Sequence, residues 1–154
     1  MKPKTTHKED IIIAMKEVTI FTDGASRGNP GRASCGFVVL EGETLIAQQG
    51  KYLGIQTNNT AEYTGVIEAF KWVLANLGTD VVIRFRMDSM LVAHQMKGEW
   101  KIKHEHIRNL YYTAKQLEER FSAVTYTHIP REQNSGADAM ANSALDDPKN
   151  SGQD

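Results

Sequence analysis

Only one cysteine, Cys35, occurs among the 154 residues. An internal disulfide is therefore excluded, and the fold must be held by its own core. An excess of positive charge is also missing: 18 Lys and Arg stand against 19 Asp and Glu, for a net charge of −1. Attraction to a polyanion by bulk charge is thereby excluded. Any nucleic-acid site must rest on local charge, backbone amides or bound cations. Long apolar runs are lacking too. Ile11 to Met15, the longest near the start, is far short of the roughly 20 residues of a membrane span and of a signal-peptide core. These absences lead us to expect a soluble, cytoplasmic protein with no membrane partner. What the chain does have is 40% apolar and 24% charged residues, an ordinary globular balance. Its length suits one domain that buries roughly 68–70% of the surface of the unfolded chain.

Residues 1–17 read as a polar N-terminal tail, 18–145 as the domain, and 146–154 as a polar C-terminal tail. Val18 to Thr22 is β-branched and aromatic and predicts a strand. Asp23 to Arg32 holds three glycines and a proline, which predicts a loop. Strands are expected at Cys35–Leu40 and Thr44–Lys51, joined by a tight turn at Glu41–Glu43. After Thr57-Asn58-Asn59-Thr60, the spacing of Val66, Ala69, Phe70 and Val73 predicts a helix to Asn76. A strand follows at Val81–Met87, then a short helix to about Lys97 and a longer one from about His104 to Arg120. Ala123–Ile129 is the fifth strand and Gly136–Leu145 the last helix. Strands joined by short turns form an antiparallel meander, and strands reached through helices add in parallel. The expected fold class is α/β: a mixed five-stranded sheet, three strands antiparallel and two parallel, flanked by helices.

Four carboxylates stand in unusual places. Taken singly, Asp23 is explained as a turn residue and Asp88 as a helix N-cap. Glu62 fits a capping box three residues after Asn59, and Asp138 fits the first turn of a helix dipole. Taken together they change meaning. Asp23 and Asp88 both end strands expected to be parallel, where α/β sites form. Glu62 and Asp138 begin helices packed on that sheet. Glu62 shares a face with Val66, Ala69 and Val73, where an unpaired carboxylate is costly. Gly65, one turn on, lets that helix approach something closely. Four converging carboxylates repel one another, and hard divalent cations with oxygen ligands offset that charge.

The motifs that frame these acids resemble those of type 1 ribonuclease H. Thr22-Asp23-Gly24-Ala25-Ser26-Arg27-Gly28-Asn29-Pro30-Gly31 is similar to the first signature, and Thr57-Asn58-Asn59-Thr60-Ala61-Glu62-Tyr63 to the second. Met87-Asp88-Ser89 and Gly136-Ala137-Asp138 resemble the third and fourth. The resemblance implies an RNase H-like fold and a metal-dependent endonuclease that hydrolyses the RNA strand of RNA–DNA hybrids, leaving 5′-phosphate and 3′-hydroxyl ends. It also implies two Mg2+ ions, with Mn2+ as substitute, held by Asp23, Glu62, Asp88 and Asp138. Asp23 bridges both, Asp138 helps hold the ion that activates water, and Glu62 and Asp88 hold the one at the leaving oxygen. Gly28, Asn29, Thr57, Asn58 and Asn59 are the implied substrate contacts, through amides and a hydroxyl that suit phosphate and the 2′-hydroxyl.

Two departures narrow the family branch. The loop Pro130 to Ser135 has no histidine, and Arg131 is the accessory candidate in its place. No Lys/Arg-rich helical protrusion follows the Asp-Ser helix. Only the connector Lys97-Gly98-Glu99-Trp100-Lys101-Ile102-Lys103 is there, either a backbone contact or a solvated linker. His104 and His106 are two apart and do not form a zinc pair. The resemblance is thus to the compact bacterial and archaeal branch, some members of which also cut double-stranded RNA. A monomer is expected. The alternatives are a non-catalytic hybrid- or double-stranded-RNA-binding module and an exonuclease of the same superfamily, although Asp23 is followed by Gly24-Ala25 rather than by a second acid two residues on.

Overall fold

The computed structural model describes residues 15–150. The expected tail over 1–17 therefore lies outside the described residues up to position 14, as does the end of the C-terminal tail from 151. Three strands open the fold: β1 Lys16–Gly28, β2 Gly31–Glu41 and β3 Thr44–Gln56. Then come α1 Asn58–Asn76, β4 Val81–Met87, α2 Met90–Met96, α3 Glu105–Glu118, β5 Ala123–His128 and α4 Ser135–Asp146. Single 3-10 turns lie at Arg131–Gln133 and Pro148–Asn150. The sheet order is β3-β2-β1-β4-β5, with β1, β2 and β3 antiparallel and β4 and β5 added in parallel. The mixed topology is the one expected from the alternation of turns and helices.

One prediction fails in an instructive way. Asp23 to Arg32 is not a loop. β1 runs on to Gly28, and the chain turns at Asn29-Pro30 straight into β2, with Asp23 opposite Gly36 and Arg27 opposite Arg32. Glycine lowers strand propensity only in isolation; here a complete cross-strand ladder satisfies the backbone groups, which decides the matter. The domain also starts earlier than expected, because Lys16 and Glu17 pair with Val81 and Val82.

β2 is buried on both faces along most of its length, and its alternation shows why. Phe37 and Val39 face the main core with Val66, Phe70 and Val73 of α1. Ser34, Gly36 and Val38 meet α4: the Ser34 hydroxyl donates to the Ala141 carbonyl at 2.5 Å, and Gly36 lies against the Ala137–Ala141 backbone. The period of two thus sends alternate side chains to opposite layers. Aromatic packing closes the core around Phe70, edge-on to Phe85 at 5.0 Å and stacked on Phe121 at 5.5 Å. Burying a side chain of this size contributes roughly 1.5–3 kcal/mol. Helices on both sheet faces leave open the edge where β4 ends beside the middle of β1.

Candidate active site

The parallel register places the first two acids. Thr22 pairs with Met87, so the next residues, Asp23 and Asp88, stand side by side on neighbouring strands where β4 ends. Glu62 comes from α1, brought in by small residues. A Cβ on Gly24 would lie 2.5 Å from the Ala61 carbonyl carbon and closer still to the Glu62 nitrogen. A Cβ on Gly65 would lie 3.2 Å from the Asp23 carbonyl oxygen. The close approach expected at Gly65 is therefore to the backbone of Asp23 itself. Asp138 sits in the first turn of α4. The loop before it is anchored by Asn134, fully buried, whose Nδ2 donates to the Thr22 carbonyl at 2.8 Å.

The helix start differs from the expected capping box. Thr57 is the N-cap of α1, and its hydroxyl accepts the Thr60 N–H at 3.2 Å while donating to the Thr60 hydroxyl at 2.9 Å. Glu62 is therefore released from capping, and its carboxyl belongs to the cluster. Asp88 is likewise not a cap; the Ser89 hydroxyl caps α2 by accepting the Val92 N–H. In both places a hydroxyl caps the helix, which a carboxylate would do equally well, so the acids are not needed there.

Carboxylate oxygens of Asp23, Glu62 and Asp88 lie within 4.8 Å of one another. Asp138 lines the same cleft and helps to hold the Asp23 carboxyl above the usual carboxylate range. Asp23 is only 5% exposed. Burial first, and then the charge of Asp88, pushes its pKa up to about 7. Glu62 is driven well above the usual carboxylate range by removal from water, then by the charges of Asp23 and Asp88. An all-oxygen donor set whose ionisation is suppressed by burial and then by its own crowding fits a hard divalent cation.

The cluster floors a cleft of about 580 Å³ whose rim includes Asn58, Asn59, Arg27, Arg131 and Asn142. Of the expected substrate contacts, Asn58 and Asn59 face this space. Gly28, Asn29 and Thr57 lie outside its lining. Asn29 instead accepts the Asn58 N–H at 3.0 Å, which ties the β1–β2 turn to the start of α1. Arg131 reaches the rim from its 3-10 turn. Sequence reasoning missed Arg27, which lay inside the expected loop, and Asn134, whose only signal was an asparagine just before a helix.

Residues 21–144 match the family described as reverse transcriptase-like. Ribonuclease H1 from the archaeon Halobacterium salinarum superposes with a TM-score of 0.81 at 42% identity, over 85% of this chain and 98% of that one. The chain belongs to the type 1 ribonuclease H family. A second solved relative, LC11 ribonuclease H1 in complex with an RNA/DNA hybrid, is 33% identical with a TM-score of 0.82, over 85% of this chain and 98% of that one. A bifunctional protein of Mycobacterium tuberculosis is 40% identical over 132 residues, 84% of this chain but 36% of that protein. The chain thus spans about a third of the length of its mycobacterial relatives, and 65% of the full Halobacterium ribonuclease HI.

As a type 1 ribonuclease H, the chain has the short connector read from its sequence. Gln95 is buried and accepts the Tyr63 hydroxyl proton at 2.6 Å while donating to the Lys101 carbonyl at 3.2 Å. Trp100 stacks on His94 with ring centroids 4.4 Å apart and is 43% exposed. The linker is thus shaped by hydrogen bonds at its back, with Trp100, Lys101 and Lys103 at its front along a second cleft that shares Asn59 with the edge of the acidic one. His106 is engaged at 3.1 Å with the Thr60 hydroxyl, away from His104 at the N-cap of α3. Among the described residues, no helix is long and apolar enough to cross a membrane.

Proposed function

We propose that this chain is an endoribonuclease that hydrolyses the RNA strand of RNA–DNA hybrids, using divalent ions held by Asp23, Glu62, Asp88 and Asp138. Cleavage of the P–O3′ bond by water leaves a 5′-phosphate and a 3′-hydroxyl. The observation that carries this reading is the convergence of three carboxylates within 4.8 Å midway along β1 and at the end of β4, with a fourth, Asp138, lining the same cleft. A module that only bound nucleic acid would gain nothing from a cluster that repels its own ligand.

The residues divide the work. Asp23, buried and central, is the carboxylate shared between the two halves of the donor set, Glu62 with Asp88 on one side and Asp138 on the other. Mg2+ is the proposed ion, with Mn2+ able to substitute; when bound, such ions supply polarisation of the phosphate and a more acidic water. Asn58 and Asn59 present amides that donate and accept, suited to a 2′-hydroxyl and to minor-groove edges, the features that separate RNA from DNA. Arg131 offers a guanidinium to a phosphate. Thr57, Asn29 and Gly28 contribute by holding the rim: Thr57 caps the helix that carries Asn58, Asn59 and Glu62, and Asn29 joins the turn to it.

The test is direct. Purified protein is given an end-labelled RNA–DNA hybrid with Mg2+ or Mn2+, and with EDTA as control. Internal RNA cuts with metal, none with EDTA, and loss of cutting but not of binding in Asp88→Asn are expected. Binding without cleavage under either metal rejects the enzyme reading in favour of a binding module. A ladder growing only from one end points to the exonuclease. A double-stranded RNA arm reads the breadth of the substrate.

A further inference from the structure

We propose that Arg27 is a phosphate-contacting residue, taking a backbone phosphate of the strand that lies in the acidic cleft. This rests on the proposed nuclease reading for its ligand. Four carboxylates line the cleft, and the cations in its lining are Arg27 and Arg131. A polyanionic strand approaching that floor needs positive charge at the rim, and a guanidinium meets a phosphate through paired N–H donors.

Arg27 has the geometry for this. It stands at the end of β1, beside the turn, with its side chain about half exposed. One terminal nitrogen donates to Asp146 at 2.6 Å, a contact that aims the side chain across the end of α4. Of its five N–H donors, the remainder are left for a ligand. Its cross-strand neighbour sharpens the argument. Arg32 lies directly opposite Arg27 in the ladder, and like charges opposite each other destabilise a sheet. Arg32 is committed elsewhere, donating to the Leu145 carbonyl at 2.8 Å and lying over the Tyr52 ring. Arg32 thus suffices to tie the hairpin to the last turn of α4. Arg27 is not needed as a second anchor there; Asp146 offsets part of its charge through one terminal nitrogen, and its other N–H donors stand on the cleft lining for an incoming anion.

A purely structural role predicts something different, so the two separate by experiment. Hybrid binding is measured with magnesium present in the full chain carrying Asp88→Asn, across about 50–200 mM salt. Adding Arg27→Ala is expected to weaken binding about tenfold and to reduce the slope of log affinity against log salt by about 1, the signature of one lost phosphate contact. Arg27→Lys should keep the slope. Asp146→Asn should keep both slope and affinity within about twofold, since it removes the tether and not the charge. If Arg27→Ala folds poorly, Arg27→Gln, which keeps most of the stem, replaces it with the same expectation. An unchanged slope in the neutral variant overturns the proposal, as does an Asp146→Asn variant that reproduces the loss. Failure of the nuclease reading is seen separately, as absence of cleavage by the wild-type chain.

Discussion

The floor and the rim of the cleft are built by different means. The floor is set by backbone against backbone: β1 and β4 in parallel register place Asp23 beside Asp88, and Gly24 and Gly65 let α1 press Glu62 into them. The rim is set by side chains: Asn58 and Asn59 on the first turn of α1, Arg27 tethered to Asp146, and Arg131 on a 3-10 turn. Backbone contacts of this kind tolerate no added atom, while exposed side chains can be exchanged at small cost. The difference teaches that, on the proposed reading, cutting and gripping are separable: the floor is rigid and costly, the rim adjustable.

Breaking the floor at its tightest point should have the largest effect. Gly24→Ala places a methyl group against the Ala61–Glu62 backbone, which can relieve the overlap only by moving α1. Destabilisation of about 3 kcal/mol, at the upper end of overpacking penalties, is expected, together with a drop in cleavage of about 100-fold from displacement of Glu62. Chemical denaturation and single-turnover assays measure the two. A variant of wild-type stability and rate would mean that floor and rim are equally forgiving.

Acidity offers the next test. Burial and the Asp88 charge hold Asp23 up at about 7, above its value in the unfolded chain. Between those values the unfolded chain has released a proton that the folded chain keeps, so raising pH favours unfolding. Metal-free protein should lose a few kcal/mol of stability as pH rises from about 4 to about 7. Mg2+ should restore more of it at pH 8 than at pH 5, because the ionised cluster is what it binds. Thermal melts with and without the ion settle this; melting temperatures that rise through that window without metal would contradict the assignment.

Asn134 links the two regions. Its amide is buried and donates to Thr22, one residue before Asp23. Asn134→Leu should cost about 1–3 kcal/mol, the penalty for a buried carbonyl left without its donor, and should reduce cleavage through Asp138 more than it weakens hybrid binding. Equal losses of both would place its role in folding alone. At the rim the effects should be smallest. Asn59→Ala should raise KM severalfold with kcat nearly unchanged, since the residue faces the cleft but is not among the clustered acids; a kcat collapse would move it to the floor.

Much of this was readable in the chain. Val81 to Met87 is a strand with the predicted bounds, because an apolar run between turn signals has no competing explanation. Glu62 drew attention by sharing a helix face with Val66, Ala69 and Val73. The glycine-rich stretch was misread because glycine and proline argue for a turn locally, and a ladder formed with β2 overrode them. The cap was misplaced by two residues because Thr57, Asn58 and Asn59 all cap helices well.

Chain chemistry alone determined the alternation that makes a mixed sheet and the lack of a basic protrusion, and it singled out the four acids as candidates, since each follows from residue type and spacing. Tertiary structure alone decided that Thr57 and Ser89, not the acids, cap their helices, that Asn134 anchors the loop before Asp138, and that Arg27 stands on the rim. Each of those depends on which of several chemically able partners comes within hydrogen-bonding reach, and that is a matter of how the layers pack.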